Sequence, residues 1–507
     1  MIYDFTLLSG WEFSGVDVAQ GFRAQVFEKN HIPSKFIFTT LPTKRDVELY
    51  TGQGVHTKQM LVSQLYMAGY DHLETTMTVD EILMQEKAIL NYDEAVSIAD
   101  KIQLKRNGVL LAEIETNQCG YFLVVNYYVK NKVCMKNYYL DRLVCTEVAE
   151  NNIKKRIYFD ATGKVVFEEV VGRDETYYLF QNGDKADTIG FMEQFVQKLK
   201  LTEKDICILD RAGYMDFTQS LFRYKTQAKI VAILHSKQYY EPYEDEGSLY
   251  MSYEYYYWFK YSKQIDAFVV GTEEQKYDLE KILNKNQCFV PPIVVIPPGA
   301  ITQKIYPKNQ RIHGSIITAS RLSPRKRVDL IIRSVVKAHE RNSEISLDIY
   351  GTGTNKEIHK LKQLIRESNA DGYIRLMGKQ RLDDVYSEYE AYITFSLWET
   401  FGLSLMEAVG SGLAMIGLDA KYGNHLFIHP NENGYLVDFD VNRDIEFPET
   451  LLERVADRIV DLFADEQRLN DFHRKSYEFA ELYVESVVAK KWCELMNWGS
   501  GKHDSFV

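Results

Sequence analysis

Two glutamates, Glu399 and Glu407, stand eight positions apart in "ETFGLSLMEAVGSG", separated by an aromatic, a glycine and an apolar run. A second stretch, "TASRLSPRKRVDLIIRSV", gathers Arg321, Arg325, Lys326 and Arg327 where an apolar strand gives way to helical spacing. The spacing predicts a helix capped by Ser323 with Pro324 in its first turn. Cations in a first turn oppose the helix macrodipole, each by about 0.3–1 kcal/mol when solvated. Such a run suits a bound phosphate or pyrophosphate; the alternative is a tolerated solvated basic surface. In the first stretch, "AYITFS" reads as a strand, Leu397–Thr400 as a turn and Phe401–Val409 as a helix. Glu399 then sits on the turn and Glu407 inside the helix. The amides of Phe401, Gly402 and Leu403 are the unpaired donors expected at that helix end, and Gly402 permits close approach by a ligand. A lone helical glutamate is ordinarily a solvated face, a reading weakened for Glu407 by its neighbours Leu405, Met406, Ala408 and Val409.

Other turns could join this chemistry. "LSGWEFSGVDVAQ" puts Gly10, Ser14 and Gly15 at the first strand-to-helix turn; it is not a GxGxxG fingerprint, and turn geometry and ligand approach are both open. "VAILHSKQYYEP" ends an apolar strand at His235, either a structural histidine or one that enters a cleft. "LDIYGTGTNKE" offers Gly351 and Gly353, and "LDAKYGNHLFI" offers Gly423 and Asn424. No Asp-x-Asp or histidine cluster with metal-ligand spacing stands out near these turns. A phosphate site here would take its cations from Arg321 and Lys326.

The elements that must position these residues follow from the hydrophobic pattern. At 507 residues the chain is long enough for two or three domains. Its 45% hydrophobic and 26% charged residues are those of a folded globular protein. A formal net charge of −12 gives no global field for nucleic acid or anionic lipid. The six cysteines lack CxxC spacing and read as buried thiols of a reducing compartment. No apolar run reaches membrane-spanning length and no basic leader is present, so a cytoplasmic protein is expected, with at most peripheral membrane contact.

Residues 1–40 read as strand, helix, strand. Between Gly108 and Phe180 come short Val-, Ile-, Tyr- and Phe-rich runs with a hairpin turn at Asp160–Gly163, the mark of an antiparallel sheet. Buried apolar strands alternating with helices then resume through "DICILD", "AKIVAILHS", "AFVVGT" and "IVVIPPG", and again from "GSIITAS" to "AMIGLD". The predicted fold class is α/β. Residues 1–45 and 188–305 form one doubly wound domain, 46–187 an inserted antiparallel β domain and 306–480 a second doubly wound domain. A terminal helix in 481–507 packs back on the first. Two such domains leave a cleft at the carboxyl ends of their strands. The 35 tyrosines, dense in the insert and in "YMSYEYYYWFKY", are either half-buried structural positions or a stacking surface for sugars or polypeptide.

Taken together, "TASRLSPRKR", the glutamate pair and "YGNHLFI" resemble retaining GT-B glycosyltransferases of the family 4 type. More closely, "GWEFSGVDVAQGFRAQVF", "SKFIFT", the insert, "IPPGAI" and "DIYGTG" are similar to the catalytic subunit of the accessory Sec-linked glycosyltransferases. These place the first sugar on serine-rich repeat adhesins of Gram-positive bacteria. The resemblance implies a GT-B fold and a UDP-sugar donor, GlcNAc or glucose, without a metal. It implies Ser/Thr hydroxyls of the adhesin as acceptor, and either a homologous non-catalytic partner subunit or a homo-oligomer. Arg321 and Lys326 would neutralise the diphosphate, Glu399 would bond the sugar hydroxyls and Glu407 the ribose. The Phe401, Gly402 and Leu403 amides would meet the phosphates, His235 would approach the donor sugar, and Gly15 with Ser14 would line the first loop. Transfer would retain configuration, so the two-carboxylate rule of glycosidases does not apply to Glu399 and Glu407. The "SPRKR" turn is more basic than its usual counterpart, and Glu12 replaces a small residue. Two other readings share the pattern: a wall teichoic acid glycosyltransferase, and the non-catalytic polypeptide-binding subunit. The basic pair and both glutamates argue against the latter.

Overall fold

Near-continuous Val, Ile and Leu runs fold as strands covered on both faces, which is how parallel sheets are buried. The computed structural model describes residues 1–6, 14–115, 120–150, 153–173, 175–210, 215–224, 226–239, 251–440, 443–444 and 448–497. Three sheets organise them. The first is seven-stranded and parallel. Ile2–Thr6 and Ile206–Leu209 lie side by side in it, with Ser34–Phe38 and Met60–Val62 on one flank. Lys229–Ile233, Ala267–Val270 and Ile293–Val295 form the other. The strand Met60–Val62 lies inside the stretch assigned from sequence to the insert. Three residues are too few to show a period, but all three are buried.

Ten antiparallel strands, from Glu94–Ile98 to Lys185–Asp187, form a simple meander. The Asp160–Gly163 hairpin is present: Gly163 N donates to Asp160 O at 2.9 Å, and Gly163 has φ +81°. Most described tyrosines of this sheet are structural. Tyr158 and Tyr178 are buried around Phe167 and Phe191, Tyr178 stacking on Phe191 at 3.8 Å, while Tyr127 is bonded to buried Glu86. Of "YMSYEYYYWFKY", Tyr250 lies outside the described residues; Tyr255, Trp258 and Phe259 are buried, and Tyr253 and Tyr256 are exposed.

The second parallel sheet has six strands, with Ser315–Ala319 at its centre between Ser346–Tyr350 and Ala391–Thr394. Chain order reverses on either side of that central strand, the topological switch point where ligands of such folds bind. In the first sheet the same point falls between Ile2–Thr6 and Ile206–Leu209. The helix Glu485–Asn497 returns to the first sheet, where Val488, Trp492 and Leu495 pack with Ile2, Phe27 and Ile208. Among the described residues no helix is long and apolar enough to cross a membrane.

Candidate active site

The carboxyl ends of the two parallel sheets face each other. Thr400 Oγ1 donates to His235 O at 2.7 Å, and a Cβ added to Gly15 would lie 3.8 Å from Leu403 Cδ1. Gly271 lies against Phe401, and Gly299 against Leu403. His235, Gly15 and the Thr400–Leu403 turn are thus brought together by strand ends of both halves. Gly10 lies outside the described residues.

The basic stretch is built differently from its sequence reading. Pro324–Lys326 form a 3-10 turn, Arg327 takes φ +47°, and the α-helix starts only at Val328. Ser323 makes no side-chain cap. The left-handed Arg327 breaks the helical path, so the cations sit on a separate turn and not in the first α-helical turn. This aims Lys326 Nζ at Glu399, with which it forms an ion pair, and at Ser396 Oγ, 3.1 Å away. Arg321 is exposed at the edge of a cavity of about 300 Å³.

The glutamate pair also divides. The helix runs Leu403–Gly410, two residues later than its spacing suggested, because Gly402 occupies φ +91° and serves as its N-cap. Phe401 and Gly402 are therefore buried turn residues, and no side chain caps the helix. A Cβ at Gly402 would overlap Leu405 Cδ1 and approach Glu399 Cγ to 3.0 Å, so only glycine fits. Gly423 locks the same turn from behind: its N–H donates to Glu399 O at 2.7 Å. Glu407 faces a cavity of about 420 Å³ shared with Gly299, Ile301, Leu382 and Met406. Its carboxylate lies deep in the cleft although the residue is exposed by area. Protein atoms crowding the cleft push it up to about 7 against the Tyr386 hydroxyl bond of 3.0 Å, while the open mouth leaves the side chain exposed and tempers that effect.

Ser14 caps the helix Gly15–Lys29; its backbone N and Oγ each donate to Asp17 Oδ2 at 2.8 Å, so its hydroxyl serves the turn. Gly351 and Gly353 serve the backbone too: a Cβ at either would overlap the carbonyl of Ser320 or Leu322.

Sequence reasoning missed the support beneath His235. Its Nε2 lies 2.6 Å from Asp210 Oδ1, and Asp210 Oδ2 also accepts from Arg23 Nη2. Arg23 Nε donates to Asp4 Oδ2 at 2.8 Å. Asp4, Arg23 and Asp210 are all buried, and the Trp492 ring covers Arg23 with its centroid 5.2 Å from the guanidinium carbon. Burial would raise the Asp210 carboxyl, but the Arg23 charge and the His235 bond hold it well below the usual range. Burial dominates at Asp4 and pushes it well above that range. The signal was present as charged residues inside apolar strand and helix patterns, Asp4 in "IYDFT" and Arg23 in "QGFRAQVF". A second unforeseen contact closes the far side. Tyr422 N donates to Glu274 Oε2 at 2.7 Å, Tyr422 OH to Asp278 Oδ2 at 2.8 Å, and Lys421 pairs with Asp278 at 3.2 Å. Among the described residues no group of three or more His, Cys, Asp or Glu is placed to hold a metal.

The sequence and the fold are matched in known proteins. Residues 307–478 fit the family described as glycosyl transferases group 1. The UDP-N-acetylglucosamine–peptide N-acetylglucosaminyltransferase GtfA subunit of Streptococcus parasanguinis is 32% identical over 504 residues, covering 97% of this chain and 98% of that one. The chain belongs to the GtfA family of glycosyltransferases. Its GT-B fold superposes on the pneumococcal O-GlcNAc transferase GtfA, solved in complex with UDP and GlcNAc. That likeness has a TM-score of 0.85 at 28% identity and covers 99% of both chains. A second structure, described as a GtfA/B complex, matches at TM-score 0.85 and 29% identity, covering 98% of this chain and 99% of that one. Within this family frame, the Lys326–Glu399 pair and the Glu407 cavity flank the second sheet's switch point, and His235 faces them from the first.

Proposed function

We propose that this chain is a retaining glycosyltransferase that moves GlcNAc from UDP-GlcNAc to serine or threonine hydroxyls of a serine-rich polypeptide in the cytoplasm. The observation that carries the reading is the Lys326–Glu399 ion pair at the switch point, across the cleft from His235. A cation and a carboxylate already in contact there suit a ligand carrying phosphate and sugar hydroxyls side by side. Arg321 and Lys326 neutralise the diphosphate, so no metal is required. Glu407 holds the ribose with its outer oxygen while Tyr386 fixes the other. Glu399 and His235 bond the sugar, and the helix end at Gly402 and Leu403 turns its amides to the phosphates.

In the transfer step the acceptor hydroxyl oxygen bonds to the anomeric carbon on the face from which UDP leaves. The carbon–oxygen bond to the β-phosphate breaks, its electron pair stays with UDP, and the acceptor proton passes to the departing phosphate oxygen. The cations stabilise the charge that develops there, the term that usually dominates such catalysis. A partner subunit is proposed from the likeness to the GtfA/B complex, with the acceptor a serine-rich repeat adhesin.

The test is mass spectrometry of a serine-rich peptide incubated with the protein and UDP-GlcNAc or UDP-glucose, with and without a partner subunit. Glu399→Gln serves as control, and poly(glycerol phosphate) as the competing acceptor. A hexosamine adduct on serine that Glu399→Gln abolishes supports the reading. Transfer to poly(glycerol phosphate) alone overturns the acceptor, and absence of turnover with every acceptor overturns the activity.

A further inference from the structure

The cavity beside Arg321 has walls from both halves of the molecule. Arg321, Gly351, Lys379 and Leu382 come from the second half, and Arg45 and Leu49 from the helix Lys44–Gly52 of the first. Among the described residues, the side chains of Arg45, Arg321 and Lys379 have no ion-pair partner. Lys44, the neighbour of Arg45, pairs with both Asp100 and Glu48. In a protein of net charge −12, three uncompensated cations around one space are an arrangement that an anion relieves. Arg45 is also the second residue of its helix, where a cation opposes the macrodipole and a nearby anion reverses the penalty.

The helix that carries Arg45 is held in place. Thr43 caps it, with Asp46 Oδ2 accepting from Thr43 N at 2.8 Å. Tyr50, in the same helix, donates to Asp17 Oδ1 at 2.9 Å and to Gln20 Oε1 at 3.2 Å. Asp17 is the residue that fixes Ser14, so Arg45 and the Gly15 turn belong to one braced unit.

We propose that Arg45 is a donor-binding residue supplied by the first half, facing the nucleoside diphosphate that Arg321 holds and meeting its phosphate oxygens from the opposite wall. The guanidinium fork matches phosphate oxygens two at a time, which an ammonium cannot do. The inference rests on the nucleotide-sugar reading above and extends it: both halves grip the donor's charge, so donor binding draws the halves together.

Isothermal titration calorimetry of the full chain tests it, with UDP and with uridine as probes, on the unaltered protein, Arg45→Gln, Arg45→Lys and Arg321→Ala. Arg45 is exposed, so these variants should fold. Arg45→Gln should weaken UDP by about tenfold at low salt, with uridine within about twofold, and added salt should narrow the UDP gap. Arg45→Lys should recover part of the loss. If Arg45→Gln stays within about twofold for UDP while Arg321→Ala loses tenfold or more, Arg45 has no such role and the nucleotide reading stands. Equal losses for UDP and uridine also overturn the phosphate role. If Arg321→Ala is itself neutral, or UDP does not bind the unaltered protein, the underlying reading fails instead.

Discussion

Replacing Asp210 by asparagine separates the stability of the buried network from its influence on His235. Asp210 is fully buried, accepts from Arg23 and lies 2.6 Å from His235 Nε2. The substitution does not orphan Arg23, because Asp4 accepts from its Nε at 2.8 Å and loss of the Asp210 charge, which helps to raise the Asp4 carboxyl, lets Asp4 ionise as its counter-charge. The fold should therefore lose one charge-assisted hydrogen bond, about 1.5–3 kcal/mol, and not the roughly 3–5 kcal/mol of a stranded buried charge. The same bond fixes which His235 nitrogen carries the proton, since the asparagine amide presents a donor as readily as an acceptor. If that orientation matters in the transition state, kcat should fall by about 10- to 100-fold, the range equivalent to that energy. UDP affinity should hold, because Asp210 bonds His235 and Arg23 and none of the diphosphate cations Arg321, Lys326 and Arg45. UDP release with UDP-GlcNAc and peptide gives kcat across pH, and calorimetry gives the affinity. Thermal unfolding confirms a folded variant. A variant with a lowered melting temperature but kcat within twofold of the unaltered protein would show that Asp210 braces the sheet and leaves His235 indifferent, refuting the reasoning.

Three further outcomes are expected. Glu407 has its carboxyl raised above the unfolded value, so it costs stability increasingly as pH rises from about 4.5 to about 7; Glu407→Gln should melt higher than the unaltered protein at pH 8, by a margin that vanishes near pH 4, while binding UDP more weakly. A margin that does not change with pH would contradict this. His425 behaves oppositely: its bonds to Glu274 and Asp419 raise its pKa, so its contribution is complete below the unfolded value of 6.5 and fades as pH rises through the folded one. The melting gap between the unaltered protein and His425→Gln should thus be positive at pH 6 and absent by pH 9. Gly402→Ala forces a side chain into φ +91°, a strain of about 1–3 kcal/mol, and crowds Glu399; UDP release should drop more than tenfold with UDP affinity less affected, and an active alanine variant would refute the account of that turn.

The strands of both parallel sheets were legible because each is a short, nearly unbroken apolar run between turn residues. Met60–Val62 was not, since three residues carry no period. Site residues next to the strand ends, His235, Lys326 and Glu399, were legible because the fold class dictates where a ligand sits. The local geometry around them was not. Gly402 and Arg327 both shift a helix start by adopting positive φ, a backbone choice that spacing does not record. Nor could spacing pair Asp4 with Arg23 and Asp210, which meet only through strand order. The tyrosines, read as ambiguous, are mainly buried in the insert because cross-strand aromatic packing needs their area.

The Trp492 ring lies on Arg23, yet the two are made at very different times. A ribosome delivers Asp4, Arg23, Asp210 and His235 while the second half is still unmade, so the charged cluster must wait, open to water, for its lid. Only when Glu485–Asn497 has left the exit tunnel and folded back can the first sheet be sealed. The first half is thereby sealed only after the second has been made, and a chain lacking that helix would leave Arg23 and its carboxylate partners uncovered.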